Sequence, residues 1–185
     1  MLQTAGFDHV DAWVFDLDNT LYPHECALFP EIDRRIRTFV GELLAVGEAE
    51  AHKVQKEYFH AYGTTLSGLI ENHGTDPRAF LDYVHDIDLG RIEPDTRLES
   101  ALERLPGQKI VFTNADASHA GRVLERLGLG RAAFDAIFDI EAAGWVPKPN
   151  PQSYERMVEH TGIDPARAVF VEDLPRNLAP ASELG

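Results

Sequence analysis

The sequence predicts an α/β protein in which a parallel sheet carries a helical lobe inserted after its first strand. Four short runs, rich in Val, Ile and Phe, are apolar almost throughout and are separated by segments with helical periodicity. This pattern is typical of parallel strands that helices cover on both faces. The first and second runs are separated by far more residues than the roughly dozen that a simple crossover needs. That excess predicts the inserted lobe.

The predicted strands are AWVFD (12–16), KIVFTN (109–114), DAIFD (135–139) and AVFVE (168–172). Two of the connecting helices have clear ends. In NPQSYERMVEHTG, Asn150 suits an N-cap, Pro151 suits the first turn, and Gly162 suits the left-handed residue that ends a helix. ASHAGRVLERLGLG ends in the same way at Gly128, with Arg126 in its last turn. Both helices are therefore interpreted as ordinary crossovers.

The inserted lobe is assigned to residues 23–94. This segment contains EIDRRIRTFVGELLAVG, EAEAHKVQKEYFHAYG and DPRAFLDYVHDI, which have helical periodicity and almost no strand pattern. The sheet domain is then formed by residues 1–22 and 95–185. We expect the lobe to close over the end of the sheet.

Composition excludes several classes of protein. The 185 residues are 44% hydrophobic and 26% charged, without an apolar run long enough to span a membrane. No basic start followed by an apolar stretch indicates a secretory signal, and a lone Cys26 fits a reducing compartment, so we expect a cytoplasmic protein. A net charge of −14 argues against binding to nucleic acid or to anionic lipid. An anionic substrate must therefore be held by a local site.

The residues best suited to chemistry directly follow the predicted strands. In an open parallel sheet, ligands bind outside the carboxyl ends of the strands, so these side chains should meet at one edge. They are Asp16, Asp18, Thr113, Asn114, Lys148, Glu172 and Asp173.

The carboxylates in this set indicate a magnesium site. Two aspartates one residue apart are costly to bury unless positive charge lies between them. Mg²⁺ prefers oxygen ligands and takes one or two carboxylates together with a substrate phosphate. Asp16 and Asp173 can supply the carboxylates, and the backbone carbonyl of Asp18 can supply a third protein ligand.

The remaining polar residues suit a phosphoryl group. Lys148 offers a positive charge, and the Thr113 hydroxyl and backbone N–H groups near Asn114 offer hydrogen bonds. Tyr22 follows the first strand closely and is expected at the entrance of the site, as a further substrate-binding residue. The expected partner is thus a small-molecule phosphate ester.

The motifs DLDNT, FTNA, KP and ED, in this order and spacing, resemble the four motifs of the haloacid dehalogenase superfamily. Within it, DNTLYP, YGTTLSGLI, FTNADASHAGRVLERLGL and KPNPQSY are most similar to the pyrimidine 5′-nucleotidase branch. The resemblance covers nearly the whole chain. It implies a Rossmann-like core with a helical cap of the C1 type after the first strand, and Mg²⁺-dependent phosphatase activity.

The resemblance also implies individual roles. Asp16 resembles the nucleophile that forms an aspartyl-phosphate, and Asp18 resembles the general acid and base. Thr113 and Lys148 resemble the phosphate-binding residues, and Asp173 a metal ligand.

The sequence departs from the family pattern at two places. Asn177 stands where many relatives have a second aspartate, so Asp173 is expected to bind the metal directly and Glu172 through water. Relatives also continue into a further strand where this sequence ends at Gly185. We therefore expect AVFVE to lie at a sheet edge, an arrangement that favours self-association into a homo-oligomer.

Several alternatives remain open at this stage. The substrate is expected to be a nucleoside monophosphate, but a sugar phosphate or phosphoglycolate is an alternative. A dehalogenase would need neither Asp18 nor magnesium, a phosphomutase would use both aspartates, and a phosphate-binding module with reduced activity would keep the fold alone. His119 is expected on a solvated helix face. Trp145 and the cluster of Tyr58, Phe59 and Tyr62 are expected to pack locally.

Overall fold

The computed structural model describes residues 6–185. Four parallel strands form one sheet in the order β3-β2-β1-β4. The strands are β1 (Ala12–Phe15), β2 (Gln108–Phe112), β3 (Ala136–Phe138) and β4 (Ala168–Val171). All four predicted strands are confirmed, each ending one or two residues earlier than predicted.

Strand β1 shows why the sheet needs helices on both faces. Its side chains alternate between two hydrophobic clusters, because successive residues of a strand point to opposite faces. Trp13 and Phe15 pack into one cluster, and Ala12 and Val14 into the other. All four are buried, so the continuous apolar run of β1 is explained.

Four helices cover the sheet. They are α5 (Thr96–Arg104), α6 (Ala117–Arg126), α7 (Pro151–Thr161) and α8 (Pro175–Leu184). Helices α5 and α6 contribute to one hydrophobic cluster, and α7 and α8 to the other. Helix α7 begins and ends as predicted: the Asn150 side chain accepts a hydrogen bond from the backbone of Gln152, and Gly162 is left-handed with φ 69°.

The long insertion after β1 is helical, as predicted. It contains α1 (Leu28–Leu44), α2 (Glu48–Tyr62), α3 (Thr65–His73) and α4 (Pro77–Val84). We call these four helices the helical lobe. The lobe has its own hydrophobic cluster, which includes Val40, Leu69 and Phe80. Across residues 6–185, no helix combines the length and apolar character needed to cross a bilayer.

The lobe is seated on the loop that follows β3. Ile140 and Trp145 from this loop pack into the hydrophobic cluster of the lobe. An ion pair between Arg78 of α4 and Glu141 adds a polar contact. Trp145 therefore packs against the lobe, as its predicted packing role requires.

Strand register places the site residues side by side. Val14 of β1 is paired with Ile110 of β2 and with Phe170 of β4. The strands are parallel, so their carboxyl ends meet at one edge. The position of β4 at the edge of the sheet is confirmed for the described chain.

Candidate active site

A buried lysine lies at the centre of the site. Lys148 is 1% exposed, and its Nζ donates three hydrogen bonds of 2.8 Å each. The acceptors are Asp16 Oδ1, Glu172 Oε2 and the backbone carbonyl of Phe112. An ammonium has three N–H donors, so all of them are satisfied by the protein. Lys148 thus fixes the Asp16 and Glu172 carboxylates and supplies the charge that makes their burial tolerable.

Asn114 holds the lysine loop in place. Its Oδ1 accepts a hydrogen bond of 2.8 Å from the Lys148 backbone N–H, and its Nδ2 donates one of 3.1 Å to the Lys148 carbonyl. Both polar atoms of the Asn114 side chain are therefore used within the protein. The Asn114 side chain thus positions Lys148, and the expected binding of a phosphoryl group by backbone N–H groups near Asn114 stays a prediction.

Three carboxylates form a potential metal site beside the lysine. Oxygen atoms of Asp16, Glu172 and Asp173 all lie within 4.8 Å of one another. Burial, aided by the charge of Glu172, raises the pKa of Asp16 to about 7 even though Lys148 acts to lower it. Burial and Glu172 likewise raise the pKa of Asp173 to about 6. Burial is therefore the main reason that both carboxyl groups retain a proton to higher pH than usual.

Glu172 is the most constrained of these carboxylates. One of its oxygens accepts the hydrogen bond from Lys148, and the other accepts a 3.2 Å hydrogen bond from the backbone of Leu174. Asp173 is exposed. This difference agrees with the expected roles, in which Asp173 is the direct ligand and Glu172 acts through water, and those roles stay predictions. Asn177 is buried, and its backbone carbonyl accepts a hydrogen bond from Tyr154.

Asp18 is held by two buried side chains that donate to the same oxygen. Tyr22 Oη lies 2.6 Å and His119 Nε2 lies 3.1 Å from Asp18 Oδ1. Burial acts to raise the pKa of Asp18, but the hydrogen bonds from His119 and Tyr22 outweigh it and hold the pKa below its ordinary value. Burial and the charge of Asp18 raise the pKa of Tyr22, so the phenol keeps its proton and donates it.

Two sequence predictions are wrong here. Tyr22 was expected at the entrance of the site but is 1% exposed, because its ring packs into the hydrophobic core beneath Asp18. His119 was expected on a solvated helix face but is 0% exposed. It occupies the buried face of α6 with Ala120, Val123 and Leu124. The i, i+4 spacing of His119 and Val123 is the sequence signal that could have placed it there.

His85 extends this arrangement toward the helical lobe. Its ring, which follows α4 directly, stacks on the His119 ring with centroids 4.2 Å apart. His85 Nδ1 lies 2.5 Å from Asp116 Oδ2, and the Arg122 guanidinium donates to the His85 carbonyl at 2.7 Å. Asp116 also caps α6 by accepting from the His119 backbone. No local sequence pattern indicates His85, since its partners lie more than 30 residues away.

Thr113 lies at the end of β2, as predicted. Its side chain is buried and accepts a 3.0 Å hydrogen bond from the backbone N–H of Ala115. A hydroxyl that accepts in this way still has its own proton to donate. Thr113 can therefore offer a hydrogen bond to a phosphoryl oxygen.

The end of α2 forms part of the rim above the site. The guanidinium of Arg176, three residues after Asp173, lies 4.3 Å from the centre of the Phe59 ring. A Cβ placed at Gly63 would lie 3.7 Å from the side chain of Pro147, which precedes the lysine. Tyr62, which lies between Phe59 and Gly63 in the sequence, is 39% exposed. Aromatic side chains of the lobe therefore border the residues that follow β3 and β4.

Comparison with known proteins agrees with this geometry. A family of hydrolases described as haloacid dehalogenase-like matches residues 10–185. The fold and the polar cluster at the carboxyl ends of its strands define a hydrolase of the α/β class. The chain belongs to the haloacid dehalogenase-like hydrolases.

Individual relatives are more distant. Phosphate metabolism protein 8 of Saccharomyces cerevisiae is 29% identical over 190 residues, which cover 92% of this chain and 58% of that protein. Enolase-phosphatase E1 of Frankia alni is 42% identical over 52 residues, which cover 28% of this chain and 21% of that protein. The chain thus spans less than two thirds of the length of these relatives.

Solved structures support the fold. A haloacid dehalogenase-type phosphatase from Thermococcus onnurineus superposes with a TM-score of 0.59 at 16% identity. The match covers 95% of this chain and 83% of that one. At this identity the likeness concerns the fold, a Rossmann-like α/β core.

Proposed function

We propose that the chain is a Mg²⁺-dependent phosphomonoesterase that works through an aspartyl-phosphate on Asp16. The observation that supports this most directly is the buried hydrogen bond between Lys148 and Asp16, beside two further carboxylates at the carboxyl edge of the sheet. A carboxylate can attack an anionic phosphate only where positive charge neutralises the site. The phosphatase names of a relative and of a structural neighbour point in the same direction.

The donor set fits magnesium. Asp16, Glu172 and Asp173 offer only oxygen atoms, which lie within 4.8 Å of one another, and Lys148 donates to two of these three carboxylates. The residues that would hold the ion are Asp16, Asp173 and the backbone carbonyl of Asp18, with Glu172 acting through water. When bound, Mg²⁺ supplies positive charge that offsets the charge of the phosphoryl oxygens.

In the first step, a carboxylate oxygen of Asp16 attacks phosphorus in line with the leaving oxygen. The new bond joins the Asp16 oxygen to phosphorus, and the bond from phosphorus to the ester oxygen breaks. To act as the general acid, Asp18 must first take up a proton at Oδ2, against the lowered pKa of its carboxyl group. It then gives that proton to the departing oxygen, so the alcohol leaves neutral. Lys148 orients the nucleophile through Oδ1, and Thr113 donates to a phosphoryl oxygen.

In the second step, water hydrolyses the aspartyl-phosphate. Asp18, now ionised, takes a proton from the water as its oxygen bonds to phosphorus. The bond between phosphorus and Asp16 breaks, which releases inorganic phosphate and restores both carboxyl groups to their starting states.

The substrate we propose is a nucleoside monophosphate, with pyrimidine preferred over purine. The residues at the strand ends contact only the phosphoryl group, so the helical lobe must select the leaving group. Its rim brings Phe59 and the exposed Tyr62 close to Arg176 and Pro147. Aromatic side chains at such a rim can stack on a base. The resemblance of the motifs to the pyrimidine 5′-nucleotidase branch supports the same choice.

A panel of phosphate esters tests both the proposed phosphatase activity and the proposed preference for nucleotides. We expect phosphate release from uridine and cytidine monophosphate that requires Mg²⁺ and stops with EDTA. Catalytic efficiency should be lower for purine monophosphates, sugar phosphates and phosphoglycolate. Higher efficiency with a sugar phosphate or phosphoglycolate would contradict the nucleotide preference alone. No Mg²⁺-dependent release from any ester would contradict the phosphatase proposal and favour a phosphate-binding module.

A further inference from the structure

His119 has an unusual environment for a buried histidine. It is 0% exposed, and its Nε2 contacts Asp18 Oδ1 at 3.1 Å. Its other ring nitrogen, Nδ1, has no hydrogen-bond partner in the described part of the chain. A buried polar atom without a hydrogen-bond partner destabilises the folded state. A leucine on this apolar face of α6 would avoid that cost, so stability alone does not account for the imidazole.

The contact between His119 and Asp18 has a defined direction. An ionised carboxylate only accepts hydrogen bonds, so Nε2 carries the proton and donates it. Tyr22 Oη donates to the same atom, Oδ1, at 2.6 Å. Within residues 6–185, no hydrogen bond reaches Oδ2 of Asp18. The two donors therefore occupy one oxygen and leave the other for a ligand.

The His119 ring is itself immobilised. His85 stacks on it at 4.2 Å with the two ring planes 19° apart. His85 is held in turn by Asp116 and by the guanidinium of Arg122. A ring clamped in this way cannot rotate freely, so its Nε2–H remains directed at Asp18.

We propose that His119 is a positioning residue for Asp18, which it holds so that Oδ2 is the oxygen that exchanges a proton with the leaving group. This inference rests on the proposed phosphatase activity. Tyr22 shares the role, and His85 supports it from the end of α4. Loss of His119 should therefore impair departure of the leaving group rather than binding of the phosphoryl group.

Two matched variants separate the effect of losing the hydrogen bond from any effect of the substitution on folding. Glutamine at position 119 can place an amide N–H near the position of Nε2, whereas asparagine reaches only near the position of Nδ1. Both are uncharged amides of similar polarity. We therefore expect His119→Gln to retain the function of His119 and His119→Asn to lose it.

The measurement is kcat/KM for phenyl phosphate and 4-nitrophenyl phosphate, because this parameter reports the first step and the two esters differ little in shape. 4-Nitrophenolate leaves readily without a proton, and phenolate does not. General acid catalysis contributes roughly 10²–10⁴-fold. Misorientation of Asp18 in His119→Asn should therefore reduce kcat/KM for phenyl phosphate by about 10-fold or more, with a much smaller loss for the nitrophenyl ester.

The outcomes distinguish the two proposals. If the wild type hydrolyses 4-nitrophenyl phosphate and Asp16→Asn does not, the phosphatase proposal holds. With that result, an unchanged ratio between the two esters in His119→Asn, or equal losses in His119→Gln and His119→Asn, would overturn the role of His119 alone. A wild type without Mg²⁺-dependent activity on either aryl ester or on any ester of the substrate panel would overturn both. If His119→Asn does not fold, Tyr22→Phe removes the other donor to Oδ1 and should shift the same ratio.

Discussion

The Nζ atom of Lys148 donates a 2.8 Å hydrogen bond to Oδ1 of Asp16, a residue 132 positions earlier in the chain. Both side chains are buried, and Glu172 Oε2 accepts from the same Nζ at the same distance. A buried ion pair is a weak source of net stability, but removing one partner leaves uncompensated charge. The pair therefore links the stability of the fold to the chemistry of the site.

Lys148→Met should destabilise the protein by about 3–5 kcal/mol at pH 8, since Asp16 and Glu172 lose their common donor. The loss should be smaller at pH 5.5, because Asp16, whose pKa is raised to about 7, can then be protonated. Urea unfolding at the two pH values measures this. Lys109→Met is the control, since among the described residues the Lys109 Nζ donates hydrogen bonds to backbone carbonyls alone, at 3.3 and 3.5 Å. Equal losses in the two variants would contradict the role of the buried pair.

Asp16→Asn should abolish turnover and yet stabilise the fold at pH 8. An amide is a very poor nucleophile, so kcat should fall by roughly 10⁴-fold or more. Burial raises the pKa of Asp16 from 3.8 to about 7. The folded state thus holds a proton that the unfolded state has released, and wild-type stability falls as pH rises from about 4 to about 7.

Asparagine has no proton to lose. In EDTA, the Tm of Asp16→Asn should therefore exceed that of the wild type at pH 8, and the difference should shrink toward pH 4. A variant that melts well below the wild type at pH 8 would show that the charge of Asp16 stabilises the site.

Magnesium should raise Tm more at pH 8 than at pH 5.5. Asp16 and Asp173, with pKa values raised to about 7 and about 6, must lose their protons before they can bind a cation. Thermal melts with and without Mg²⁺ at both pH values measure the effect. Asp173→Asn should reduce the shift strongly, whereas Asp82→Asn, at an exposed position of α4, should leave it unchanged. An equal shift in wild type and Asp173→Asn would exclude Asp173 as a ligand.

Within residues 6–185 no strand pairs with the outer edge of β4, so this edge should promote self-association. Val171, its last residue, is 39% exposed, and an unpaired apolar strand edge can pair with another chain. Sedimentation velocity from micromolar to near-millimolar concentration should show a growing dimer fraction. Val171→Lys should reduce that fraction, while Leu43→Lys, at an exposed apolar position of α1, should not. A monomer at every concentration would contradict this prediction.

The sequence was most informative where local patterns determine structure. Strand ends could be located from apolar runs, and parallel strands bring their ends together, so Asp16, Thr113 and Lys148 were predicted at one edge. The caps of α7 were predicted because Asn150 and Gly162 act on their own backbone. The bounds of the two domains, 1–22 with 95–185 and 23–94, stay predictions.

Local sequence patterns could not predict the tertiary contacts of the site. The polarity of His119 suggests exposure to solvent, whereas the apolar periodicity of α6 places it on the buried face. Tyr22 lies one helical turn beyond Asp18, and Leu21 N–H bonds back to the Leu17 carbonyl, which folds the chain so that the phenol returns to Asp18. His85 approaches from the lobe, and no local pattern encodes that approach.

The loop between β3 and α7 connects the two parts of the molecule mechanically. At one end, Ile140 and Trp145 are embedded in the apolar interior of the lobe. At the other, Lys148 is fastened to Asn114 and to the nucleophile. Trp145 and Lys148 are only three residues apart in the sequence. Any displacement of the lobe relative to the sheet would therefore act on the backbone next to the lysine that orients Asp16.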